Sequence, residues 1–237
     1  MCYSFDSSIR TASMSAISIL YLLTSKVPKF KWLAVSLIGW CAMQLTEAIL
    51  WYTNPRENCS LLNKTTTMTL IPLTLVLQQV MPLFGAVFLL PENRKSQNLK
   101  IFFYFYSLVV LFSVFYYQNI EYDYSNCTNV TESGHLYWSG KYPPTNKERT
   151  AKSTQIITYL WGGLLFLQFV YFWKSSSFFS LVKSMFSLFA IPLYGVYLGL
   201  KSDSPASIWC YITSFSSVWY SFILFLHNNK LNFFIDV

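Results

Sequence analysis

Long apolar stretches separated by short polar gaps dominate this chain, and seven of them reach the length needed to cross a bilayer. A helix rises 1.5 Å per residue and needs about 20 apolar residues to pass through about 30 Å of hydrocarbon. Windows of that kind with few or no charges fall at about 5–25, 32–53, 67–90, 100–118, 153–173, 179–200 and 206–227. They predict an all-α polytopic membrane protein, a single domain over residues 1–237 with about seven transmembrane helices. The first window is the most polar, with Asp6, Arg10 and many serines ahead of Ile17–Leu23. Without a basic leader segment or a cleavage site it reads as a retained helix rather than a signal peptide.

Within the windows, small polar residues recur at helical spacing. Ser4, Ser8, Thr11, Ser15 and Ser18 advance by four, three, four and three positions, which lays one stripe down the first helix. Cys210, Thr213, Ser217 and Ser221 make a similar stripe in the last window, and Gly195 and Gly199 repeat the device in the sixth. Such stripes let membrane helices approach closely, so packing is the preferred reading over a water-lined path. Asp6 and Arg10, four residues apart, can neutralise one another.

Composition sharpens the class. Hydrophobic residues make up 54% of the chain and charged residues 11%, more apolar surface than a soluble domain of this size would carry. The net charge of +7 comes from lysines and arginines that flank the windows without forming a face, which argues against nucleic-acid binding. The expected partners are the lipid bilayer and a small ligand or ion, with the oligomeric state left open. High Phe, Tyr, Asn and Lys usage suits an AT-rich genome, viral or protist.

Topology rests on four N-x-[Ser/Thr] sequons. Asn58 and Asn63 lie in the second gap, Asn126 and Asn129 in the fourth, and these gaps share a side if every window spans. Glycan acceptors face the lumen, so the sequons predict N-out and C-in, a glycoprotein of the secretory pathway or cell surface, or of a host membrane if viral. Lysine and arginine divide almost evenly between the two sides and add little. Cys59 and Cys127, one in each outer gap, invite a disulfide, which spacing alone leaves as open as two free thiols. Cys41 and Cys210 lie within windows and read as packing residues.

The chemistry-bearing residue of the windows is Glu47, near the middle of the second. An ionisable group at that depth is expensive unless it meets a partner or water. Gln44 shares its face, and Gln78, Gln79 and Gln168 of the third and fifth windows are candidate partners across the bundle, together a polar midplane site. Function and structural glue weigh equally for this set. In the long outer loop, about 119–152, aromatics around His135 fit either a lid folded back on the helices or an interfacial anchor followed by a solvated turn, the second preferred. His135 with scattered acids lacks the spacing of a metal site, so no metal, cofactor or catalytic residue is assigned. An N-terminal Cys2 has only Arg10 near it in sequence to activate a thiolate, and a packing role is preferred.

The last window has no lysine for a retinal Schiff base, and receptor, hydrolase and phosphate-loop signatures are absent from the sequence. One resemblance does emerge. Met1-Cys2-Tyr3-Ser4 followed by Ser8, then Thr46-Glu47-Ala48, His135-Leu136-Tyr137-Trp138 and Ser207-Ile208-Trp209-Cys210 look like an uncharacterised multipass membrane family. Its members open Met-Cys-(Trp or Tyr)-Ser and carry Trp-Cys near the last helix. The resemblance implies a shared helical bundle in which Cys2, Glu47, His135 and Trp209 are the first residues to mutate, and it implies no activity. The residues themselves leave three functions open: transport or small-ligand binding around Glu47, a structural or interaction glycoprotein, and, third, an intramembrane enzyme.

Overall fold

The computed structural model describes residues 4–56, 59–90, 97–121, 127–132, 134–138, 162–164, 166–168, 194, 197 and 205–230. The described helices are α1 (Phe5–Leu23), α2 (Pro28–Ser36), α3 (Ile38–Tyr52), α4 (Leu61–Thr65), α5 (Ile71–Leu89), α6 (Gln97–Glu121) and α7 (Pro205–Asn228). A short antiparallel hairpin, β1 (Asn129–Val130) and β2 (Leu136–Tyr137), pairs Asn129 with Tyr137 and Val130 with Leu136.

Local chemistry sets the helix ends. Ser4 caps α1 in a reciprocal box: the Ser7 amide donates to Ser4 Oγ at 3.2 Å and the Ser4 amide donates to Ser7 Oγ at 3.3 Å. Pro28 opens α2, where its missing N–H costs nothing. α2 and α3 form one apolar rod jointed at Leu37, and the Cys41 amide still donates to Leu37 O at 3.0 Å across the joint. α4 joins α5 through a π-helical turn, Thr66–Leu70. Pro72 follows at the start of α5, where its ring would crowd the carbonyl four residues back, and a widened turn relieves that clash.

Packing follows a repeating register. Gly39 of α3 meets the backbone of Gln78, Met43 Sδ accepts from Thr74 Oγ1 at 3.4 Å, and the Trp32 ring abuts Gly85. Each pair sums to the same number, so the rod and α5 run antiparallel along their length. Thr11 to Gln44 and Cys41 to the Ala12 carbonyl set α1 antiparallel to α3. Ser15 against Ser217 and Ser221 against the Ser18 carbonyl set α7 parallel to α1. Phe103 of α6 lies tilted against Phe84 and edge-on to Phe88, and three residues further on Tyr106 meets Gln79, which makes α5 and α6 antiparallel as well. The core gathers Leu22, Phe30, Trp32, Leu33, Met43, Leu50, Leu83 and Leu224 between these helices.

The seven-span bundle with N-out, C-in topology is not upheld. Among the described residues two helices are long and apolar enough to cross a membrane, Pro28–Tyr52 and Leu61–Leu89. The expected first span forms α1, but Asp6, Arg10 and the serine stripe dilute its apolar character. The expected fourth span lies in α6, whose described apolar stretch is Lys100–Val114. The expected spans 153–173 and 179–200 fall largely outside the described residues, as do Gly195 and Gly199. The long loop also begins later than expected, because α6 continues to Glu121.

Candidate functional site

The most polar part of the interior is a seam between α1, α3 and α5. Ser8, Gln44, Glu47 and Gln78 are each 0% exposed. Thr11 Oγ1 donates to Gln44 Oε1 at 2.9 Å, which fixes the level of α1 against α3. One step of three residues outward on each antiparallel helix carries Thr11 to Ser8 and Gln44 to Glu47, so Ser8 and Glu47 share the next level. On α3, Glu47 lies between the side that meets α5, marked by Gly39 and Met43, and the side that meets α1, marked by Cys41 and Gln44. Continuing the α3–α5 register sets Glu47 level with Leu70, the last residue of the π-helical turn, and this turn packs on α3. Wide turns of this kind recur at functional positions in helices.

The seam is closed to the surface. A carboxylate held away from water is costly unless polar groups compensate, and Ser8 at its level with Thr11 and Gln44 one turn away are the polar side chains of α1 and α3 nearest to it along the register. Ser8 Oγ stands out, because it is buried and has no hydrogen-bond partner among the described residues.

The remaining two glutamines belong to a different cluster. Gln78 and Gln79 are adjacent, so their side chains diverge by about 100° around α5. Tyr106 of α6 donates its hydroxyl to Gln79 Oε1 at 2.8 Å, and Gln168 Nε2 donates to Tyr106 Oη at 3.1 Å and to the Gln79 carbonyl at 3.2 Å. Gln79 and Gln168 therefore join α5 to α6, and Gln78, level with Gly39, stands about two turns along α3 from Glu47, so the five residues expected from the sequence are spread over the helices rather than gathered at one level.

The outer gaps are stitched together. Cys59 and Cys127 form a disulfide, with Cα atoms 5.5 Å apart. Beside it the Asn63 side chain clasps the peptide of Thr128: the Thr128 amide donates to Asn63 Oδ1 at 2.9 Å, and Asn63 Nδ2 donates to the Thr128 carbonyl at 3.0 Å. The Thr67 and Thr128 hydroxyls lie 2.7 Å apart beneath this clasp. A hairpin this short is not stable alone. The disulfide, the clasp and the burial of Leu136 and Trp138 in the core hold it on the helices.

His135 is buried in the hairpin turn, where its amide donates to Thr131 Oγ1 at 3.1 Å and its carbonyl accepts from the Thr131 amide at 2.8 Å. Gly134 takes φ of 83°, which glycine adopts without strain. The preferred reading of an interfacial aromatic anchor followed by a solvated turn does not fit its described part, because His135, Leu136 and Trp138 pack inward, and the expected turn lies outside the described residues. Asn129 is half-buried, with Nδ2 donating to the Cys127 carbonyl at 3.1 Å.

Cys2, Asn58 and Asn126 lie outside the described residues, and Trp209 and Cys210 lie in α7 where side chains are not described. Among the described residues no group of three or more His, Cys, Asp or Glu comes together to hold a metal. Sequence reasoning missed Tyr106, Thr67 and Thr128, since a tyrosine or threonine in an apolar run gives no signal of its partner. The Ser8–Glu47 level was partly visible, as both residues had been singled out on separate helices. No protein-family model, curated protein or solved structure matches this chain.

Proposed function

We propose that this chain is a membrane-embedded helical protein of an oxidising compartment that binds a small ligand or ion at the seam around Glu47. The observation that carries this reading is the complete burial of Glu47 at one level with Ser8, whose hydroxyl has no protein partner among the described residues. An acid beside a hydroxyl and an amide offers oxygen ligands to a cation or hydrogen-bond acceptors to a small solute. The disulfide supports a lumenal or extracellular setting for its end of the molecule, because such bonds persist where the surroundings are oxidising.

The test is flux or ligand binding after reconstitution of wild type, Glu47→Gln and Ser8→Ala. Loss in both variants, with the Cys59–Cys127 bond still formed and melting unchanged, supports the reading. Retained flux in Glu47→Gln overturns it.

A second reading, an interaction protein, is favoured by the clasp. Disulfide and Asn63 together present a rigid surface carrying Asn129, suited to meeting a partner outside the bilayer. It predicts partner capture that is lost when Cys59→Ser releases the hairpin and that is indifferent to Glu47→Gln.

A further inference from the structure

The helix directions gather one kind of charge at one end of the molecule. α1 and α7 end where α2 begins, as the Phe30 and His227 rings 5.8 Å apart record, and α5 ends where α6 begins, as the Phe88 and Phe103 rings 6.0 Å apart record. The Trp32 indole donates to the Pro82 carbonyl at 2.7 Å and ties the start of α2 to the last turns of α5. This end carries Lys26, Lys31, Lys100 and Lys230, and no Asp or Glu among the described residues lies in the helix ends that bear them. By sequence the segments joining and following these helices add Glu92, Arg94, Lys95 and Asp236, which leaves the balance unchanged. At the disulfide end the described charges are mixed in sign, Asp6 and Glu132 with Arg10, Arg56 and Lys64.

Beside the exposed lysines stand large exposed apolar side chains. Tyr21 and Leu23 precede Lys26, Ile101 and Phe102 follow Lys100, and Phe222 and Phe225 precede Lys230. A soluble polyanion would want cations without such neighbours. An ammonium group on a long apolar stem next to exposed aromatics is the arrangement that sits at the boundary between acyl chains and headgroups.

From this juxtaposition we infer that the lysine end of the helices binds anionic phospholipid headgroups, with Lys26, Lys31, Lys100 and Lys230 as the phosphate-facing cations. The inference rests on the membrane-embedded reading above and names a lipid class for one end of it. Lys26, Lys100 and Lys230 are exposed and Lys31 is half-buried.

The full chain in detergent is titrated with short-chain phosphatidylserine, short-chain phosphatidylcholine and inorganic phosphate, and thermal stability is followed. Phosphatidylserine is expected to stabilise the wild type at lower concentration than phosphatidylcholine, with phosphate ineffective. A lysine near a membrane surface strengthens anionic-lipid binding about fivefold, so replacing Lys26, Lys100 and Lys230 by Gln one at a time should each shift the titration by about that factor. A combined variant should respond equally to both lipids. Its disulfide, read by thiol alkylation, checks that it has folded, and single variants stand in if it has not. Equal response of wild type to both lipids overturns the inference, and so does a phosphate response matching that of the lipid. A chain that stays monodisperse without detergent and binds neither lipid overturns the membrane reading itself, which a detergent-requiring chain with no headgroup preference leaves standing.

Discussion

Gly39 lies against the backbone of Gln78 so closely that a β-carbon at residue 39 would stand 2.5 Å from the Gln78 amide nitrogen. The obstruction is backbone, which cannot rotate away as a side chain can. Gly39→Ala should therefore force α3 and α5 apart, at a cost of about 1–3 kcal/mol or more, since overpacking a close helix contact distorts both elements. Gly85→Ala meets the Trp32 ring at 2.9 Å instead and should cost less. Thermal melts of the two variants check the order, and a harmless Gly39→Ala would contradict the α3–α5 contact itself.

The Trp32 indole reaches across to the Pro82 carbonyl at 2.7 Å, within the helix whose ladder Pro82 interrupts. Trp32→Phe removes this added donor from a carbonyl that keeps its place in the α5 ladder and shrinks a fully buried ring, which should destabilise by about 1 kcal/mol. Denaturant unfolding of the variant measures the loss.

Removing the Cys59–Cys127 bond should cost about 2–4 kcal/mol, because it closes a long loop in the unfolded chain. The Asn63 clasp depends on the same hairpin. Asn63→Ala should thus be strongly destabilising in the oxidised protein and much weaker once Cys59→Ser has released the hairpin. A double-mutant cycle reads this coupling, and simple additivity would show that the clasp and the bond act independently.

Of the sequon asparagines whose side chains are described, both donate Nδ2 to a backbone carbonyl, but Asn63 is fully buried in its contact with Thr128 whereas Asn129 is half-buried and bonds only two residues away to Cys127. A glycan on Asn63 would have to replace the clasp. In a glycosylating cell, Asn129→Gln should remove one glycosidase-sensitive step from the gel mobility and Asn63→Gln should remove none.

Tyr106→Phe should separate the two polar clusters functionally. It strips the hydroxyl shared by Gln79 and Gln168 and should lower stability by about 1 kcal/mol, yet leave any binding at the Glu47 seam unchanged. Measured together, melting and binding would reveal whether the clusters are as independent as their positions on α5.

How much of this was legible in the residues differs from element to element. Apolar runs and spacing located the helical segments, and the Ser8, Thr11, Ser15 and Ser18 stripe named the face of α1 that packs, because helical periodicity is a property of the chain itself. Those same runs overstated the spans, since apolar residues that face a protein core and those that face lipid are alike in sequence. The one buried acid among the described residues, Glu47, was visible for the same local reason: burial of charge is rare enough to announce itself. What only the tertiary structure decided is partnership. Gln78 and Gln79 are neighbours in the chain but join different helices, Cys59 could have remained a thiol, and Asn63 reads as a glycan acceptor until its amide is found holding Thr128. Each of those outcomes depends on contacts between residues far apart in sequence, and no local pattern encodes which distant group will be there.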